Sequence, residues 1–205
     1  MPLLITHLAY LQKYWQQNNL PQPYLADALA GTVLPDIRYL VKIKRTETHT
    51  FTAEQLDKKI LTDNNSDPNK LSNFKAGFLF HLQLDQWWPR QYNFVTDYQY
   101  FGLALKIATD LILKPKIKNL STLKPNYQIN FLATNRADIN SWYEFIEEYL
   151  IASDCQSELK KLLQKNLFYQ QEIPNLWEQV EKILQNKNII LALQKTYTDF
   201  VWKRL

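Results

Sequence analysis

Three glycines, Gly31, Gly77 and Gly102, are all that this 205-residue chain contains. Sheet-rich domains place glycine at tight turns and bulges, so a chain this poor in it is steered toward helices joined by proline and Asn/Asp turns. Hydrophobic residues make up 46% and aromatics 14% of the sequence, which supports a globular core and excludes a disordered chain. The length suits a single core and no seam divides it. The expected fold class is all-α, one helical domain over residues 1–205. Residues 1–90 carry the polar motifs, and residues 91–205 form a helical half of unassigned role.

Leu4, Leu8, Leu11 and Trp15 recur at helical spacing and predict a helix over 3–17. A short helix is expected over 22–31, followed by a turn through GTVLPD and an irregular or extended segment over 37–51. Thr52 and Gln55 form a capping box for a helix through Leu61. Pro68 suits the first turn of a long helix that Pro89 stops after Trp88. Further helices are expected at 92–113, 138–151, 154–170, 174–186 and 188–203, with a proline- and lysine-bearing connection over 114–130.

The net charge of +4 is mild, and Lys114, Lys116, Lys118 and Lys124 read as a solvated basic connection. No RNA-module signature accompanies them, so nucleic acid is not an expected partner. Cys155 is the single cysteine, so no internal disulfide can form, which fits a reducing compartment. The N-terminus lacks a basic n-region and a cleavage site, and no stretch approaches the ~20 apolar residues of a membrane span. A cytoplasmic protein without a transmembrane segment is expected, with peripheral membrane contact open to it.

The stretch FKAGFLFHLQLDQWW, Phe74 to Trp88, sets polar groups into an apolar helix. Gly77, His81 and Asp85 recur every four residues and share one face. A glycine inside a helix costs ~1 kcal/mol relative to alanine, so Gly77 marks a place where another group must come close. Such a pair either satisfies itself in the core or, as His and Asp one turn apart can, holds a divalent ion. His7 lies on the inner stripe of the first helix, His49 sits in RTETHTF, and Asp36 follows Pro35. His7, Asp36, His49, His81 and Asp85 together make an N/O ligand set suited to zinc, manganese or iron. Their spacing matches no zinc finger, so the fold would have to assemble them. Trp87 and Trp88 fill a core more readily than they line an apolar site. Asp63, Asn65 and Asp67 mimic the start of a calcium loop, but Pro68 and Phe74 stand where its glycine and glutamate belong, and a capping loop is expected.

The succession THLAYL, ALAGTVLPDI, RTETHTF and FKAGFLFHLQLDQWW resembles the zinc-dependent phospholipase C family. That family's pattern runs TH, G-x-x-x-PD, TH before an aromatic, and G-x-x-x-H-x-x-x-D; the likeness covers residues 6–88. It implies an all-helical fold with a metal cluster between helices. His49, His81 and Asp85 would bind one metal, Asp36 would be a further ligand or the base beside it, and His7 with a bridging Asp85 would help hold a second. The chain departs from the family at two places. It begins Met1-Pro2 where secreted members begin at a metal-binding tryptophan, and no histidine follows His81 where they carry a later cluster. One metal or an asymmetric pair is therefore implied. The HD phosphohydrolases are a weaker likeness, since no histidine here directly precedes an aspartate.

The implied activity is metal-assisted hydrolysis of a phosphoester, on a small molecule or a lipid headgroup. Asp36 would take a proton from water, and Arg38 or Arg45 would grip phosphate oxygens with a planar fork. The rival expectation is a non-enzymatic binding or scaffold protein on the same fold, with a structural ion or none.

Overall fold

The first helix, α1 (Leu4–Gln17), buries Leu4, Leu8, Leu11 and Trp15, the stripe that its apolar spacing predicts. The structure, a computed structural model, describes residues 4–41, 43–62, 67–91, 101–118, 120, 123–132, 134–151, 157, 160–161 and 173–202. After a 3₁₀ turn at Gln22–Tyr24 come α2 (Leu25–Val33) and a second 3₁₀ segment, Leu34–Tyr39. A single helical turn, α3 (Arg45–Thr48), precedes α4 (Ala53–Lys59). The long α5 (Pro68–Trp87), then α6 (Phe101–Leu113), α7 (Arg136–Ile151), α8 (Ile173–Gln185) and α9 (Lys187–Asp199) complete the helices. The architecture is mostly helical, and no described helix is long and apolar enough to cross a membrane.

Local rules account for several boundaries. Thr52 accepts from Gln55 N at 3.2 Å while its own N–H donates to Gln55 Oε1 at 3.0 Å, so the capping box forms. Asp67 Oδ1 accepts from Asn69 N at 2.9 Å with Pro68 next in the first turn, which starts α5 as expected and makes Asp67 a cap.

Other boundaries differ from expectation. The GTV of GTVLPD is helical rather than turn, because Ala30, Val33 and Leu34 bury on one apolar ridge and Pro35 fits early in a 3₁₀ helix that lacks that donor anyway. Residues 37–51 take the irregular of the two expected paths, with the end of a 3₁₀ segment and a single helical turn at Arg45–Thr48. The helix from Ala53 stops at Lys59, and Ile60–Thr62 (β1) pairs antiparallel with Ile129–Phe131 (β2) in register Ile60 with Phe131. Three β-branched and apolar residues sufficed once a distant partner was available. The expected segment 92–100, most of 154–170 and Cys155 lie outside the described residues.

The α2–α5 crossing organises the rest. A Cβ on Gly31 would stand 1.8 Å from Phe74 O, and a Cβ on Gly77 would stand 1.8 Å from Ala28 O. Backbone therefore meets backbone at this crossing, and only glycine fits at both positions. α2 also ends with its last-turn carbonyls fully engaged, where a helix normally leaves four without partners. Tyr143 Oη donates to Ala30 O at 3.0 Å, Leu34 N to Gly31 O, His81 Nδ1 to Thr32 O at 2.7 Å and Trp142 Nε1 to Val33 O at 3.0 Å. Elsewhere Trp88 is buried and Trp87 joins an aromatic cluster with Tyr10, Phe200 and Trp202, so both serve packing.

Candidate metal centre

All five candidate ligands converge. His7 comes from α1, Asp36 from the 3₁₀ segment after α2, His49 from the residue after α3, and His81 and Asp85 from α5. His7, Asp36 and His81 are fully buried, Asp85 nearly so, and the His49 side chain is only 3% exposed. His7 and His81 stack with ring centroids 3.7 Å apart. His7 Nε2 lies 3.3 Å from Asp85 Oδ1, and His49 Nε2 lies 3.4 Å from Asp85 Oδ2 and 3.6 Å from Asp36 Oδ1.

Hydrogen bonds behind the rings decide which nitrogens face inward. Thr32 O can only accept, so His81 Nδ1 carries the proton. Thr48 Oγ1 lies 2.6 Å from His49 Nδ1 and 3.3 Å from Arg45 O, so its hydroxyl fixes the orientation of the His49 ring. His81 Nε2 then turns a lone pair toward the centre, 3.2 Å from His49 Nε2. In the metal-free protein a proton on His49 Nε2 bridges the two rings, and an ion in its place would take both nitrogens as ligands. The edges of the His49, His81 and Asp85 triangle are 3.2, 3.4 and 3.8 Å. Ligand atoms each about 2.0–2.2 Å from a tetrahedral ion would be roughly 3.3 Å apart. The donor set therefore fits a divalent ion, and a second grouping of His7, Asp36 and His81 shares the same core.

Electrostatics prepare the same state. Burial pulls the His81 imidazole down to about 3, with His7 adding to it, so His81 is a neutral imidazole. Burial opposes charge on Asp85 and Asp36, but their contacts with the surrounding histidine rings outweigh it and hold both carboxyls below the usual range. Both oxygens of Asp36 are buried, and the nearest donors to Oδ1 are His49 Nε2 at 3.6 Å and Arg38 Nε at 3.8 Å. Arg38 is thus the cation beside this buried carboxylate.

The two arginines differ. Arg45 Nη2 sits 2.9 Å from Asp85 Oδ2 with its side chain 47% exposed, so it stands between solvent and the cluster. Arg38 lies over the Tyr39 ring at 4.2 Å, donates to Tyr39 Oη at 2.7 Å, and keeps Nε 3.8 Å from Asp36. It is braced where Arg45 is accessible.

Four contributors escaped the sequence reading. Thr32 acts through a main-chain carbonyl, which leaves no residue signal. Thr48 orients His49 by one hydroxyl. Asp110, fully buried in α6, accepts from Ile5 N at 3.1 Å, Thr6 N at 2.8 Å and Thr6 Oγ1 at 2.5 Å, which supplies first-turn N–H groups of α1 and fixes the rotation of His7. Lys106, one turn before Asp110, interacts electrostatically with Asp85, Asp36 and Arg45. Both α6 residues carried the signal that exposed His81 and Asp85, polar groups four apart in an apolar helix.

No protein-family model, curated protein or solved structure matches the chain. The fold and the site define a mostly helical protein with a buried three-histidine, two-aspartate cluster whose ligand atoms could hold a metal ion.

Proposed function

We propose that the chain is a metal-dependent phosphoester hydrolase with a reduced, one-ion or asymmetric two-ion centre. The observation that carries the reading is the convergence of His49 Nε2, His81 Nε2 and Asp85 Oδ2, each within 3.8 Å of the others. A divalent ion there would supply the Lewis acidity that polarises a phosphoryl group and brings a water's pKa toward ~7. His49, His81 and Asp85 hold that ion, and three protein ligands leave a position for solvent or substrate. Asp36, whose Oδ1 lies 3.6 Å from His49 Nε2, would receive the proton from that water. Zinc suits the nitrogen-rich set, and manganese or iron would also be accepted. The phosphoester class, a small molecule or a lipid headgroup, follows from the motif order that resembles the phospholipase C pattern.

A structural ion in a binding or scaffold protein is the rival reading, and the near-complete burial of the five side chains favours it. The Asp36→Asn variant separates the two. Metal-loaded protein should hydrolyse at least one ester in a panel of lipid, nucleotide and generic diester substrates, and Asp36→Asn should keep its metal while losing about 10²- to 10⁴-fold in rate. A metal-loaded protein inactive across the panel would support the scaffold reading instead.

A further inference from the structure

One oxygen of the cluster is already in use. Asp85 Oδ2 is the carboxylate corner of the His49, His81 and Asp85 triangle, 3.4 Å from His49 Nε2 and 3.8 Å from His81 Nε2. The same atom accepts a hydrogen bond from Arg45 Nη2 at 2.9 Å, closer than either ring. Among the described residues, Arg45 is the one lysine or arginine paired with Asp85.

Arg45 and His49 flank a single helical turn, and Arg45 O accepts from His49 N at 2.9 Å. That turn therefore brings a candidate ligand and a rival cation to the same oxygen. His49 arrives from within, its side chain 3% exposed, while Arg45 comes from the solvent side with 47% of its side chain exposed. An arginine that served only to orient a ligating carboxylate would be best placed on the oxygen the ion leaves free. Here that oxygen, Asp85 Oδ1, faces His7 Nε2 at 3.3 Å instead.

An ion about 2.0–2.2 Å from Asp85 Oδ2 would lie within roughly 5 Å of Arg45 Nη2. A divalent and a univalent cation that close, around a carboxylate that water barely reaches, repel each other. The guanidinium is the one with water to move into, on a long and flexible stem.

We propose that Arg45 is a placeholder cation of the metal centre. It holds Asp85 Oδ2 while the centre is empty, yields that oxygen to the incoming ion, and so sets how tightly the ion is held. This rests on the metal-centre reading and adds to it a control on ion uptake.

The test is zinc titration of the metal-free full chain against a chromophoric chelator of known affinity, for the parent, Arg45→Gln, Arg45→Met and Arg45→Lys. The thermal midpoint of each is read with and without zinc. Arg45→Gln and Arg45→Met should bind zinc about ten- to a hundredfold more tightly than the parent, and Arg45→Lys, which keeps the charge, within about threefold of it. Without zinc, Arg45→Met should melt below the parent, because Asp85 loses its counter-charge. With zinc in excess, that deficit should vanish or reverse. Zinc affinity that is unchanged in Arg45→Gln and Arg45→Met overturns the proposal. Weaker affinity overturns it too, and makes Arg45 a positioning residue for Asp85. Zinc bound by none of the four proteins removes the metal-centre reading itself, and this proposal with it.

Discussion

Two helix contacts in this molecule follow different rules. Where α6 meets α8, α6 buries Ala104, Ile107 and Ala108 and α8 buries Leu176, Val180 and Ile183, a largely apolar contact. Where α2 crosses α5, main chains touch through Gly31 and Gly77, and the Thr32 carbonyl must meet His81 Nδ1 at 2.7 Å. The first contact is held by area, which is non-directional and forgiving. The second is held by position, and the candidate ligands hang from it. The difference teaches where a change of one carbon should matter most.

The largest effect should come from glycine. Gly77→Ala drives a Cβ into Ala28 O and Gly31→Ala drives one into Phe74 O, and backbone atoms cannot step aside, so each should cost roughly 3 kcal/mol in urea unfolding and lower metal affinity. Gly102 is the control, since a Cβ there meets nothing within 4 Å, and Gly102→Ala should stabilise by about 0.5 kcal/mol. At the apolar contact, Leu176→Met should cost less than about 1.5 kcal/mol and leave metal affinity alone. Equal losses for Gly77→Ala and Leu176→Met would break the comparison.

A smaller effect, in pH, sharpens it. In the metal-free protein His81 titrates at about 3 against an ordinary 6.5. Between those values the unfolded chain takes a proton that the folded chain refuses, so this group lowers stability as pH falls from 6.5 toward 3. Asp110 has the opposite sign. Burial pushes it up to about 7 from 3.8, so its contribution is present below 3.8 and is lost as pH rises through 7. The two partly cancel in the parent protein. Asp110→Asn removes the opposing Asp110 limb while those of Asp27, Asp36 and Asp85 stay as in the parent, so the urea midpoint should decline more steeply with acid than in the parent. A profile for Asp110→Asn that is flat between pH 6.5 and 4 would contradict a neutral, buried His81.

Much of this arrangement was legible in the residues. The four-residue recurrence of Gly77, His81 and Asp85 placed them on one face, and the spacing of Leu4, Leu8 and Leu11 put His7 inside. Both follow from helical periodicity, which is local. The Gly77 position also announced a close approach, although not its partner Ala28. What stayed hidden is what depends on distant chain segments. The Ile60–Phe131 pairing joins three-residue strands across some seventy positions, too short to show a period of two. The helical path through Gly31 and Val33 depends on donors from Trp142, Tyr143 and His81 that quench its terminal carbonyls. Asp110 and Lys106 were visible as polar residues in FGLALKIATDLIL, but only the packing of α6 on α1 gives them a role.

The central claim is that the inward-facing Nε2 atoms of His49 and His81 exist to hold an ion. Elemental analysis of the purified, tag-free protein, beside the His81→Ala/Asp85→Ala variant, tests it most directly. One to two equivalents of zinc, manganese or iron in the parent and none in the variant is the predicted result. A parent that stays metal-free after supplementation with all three, or a variant that retains the parent's metal, would contradict it.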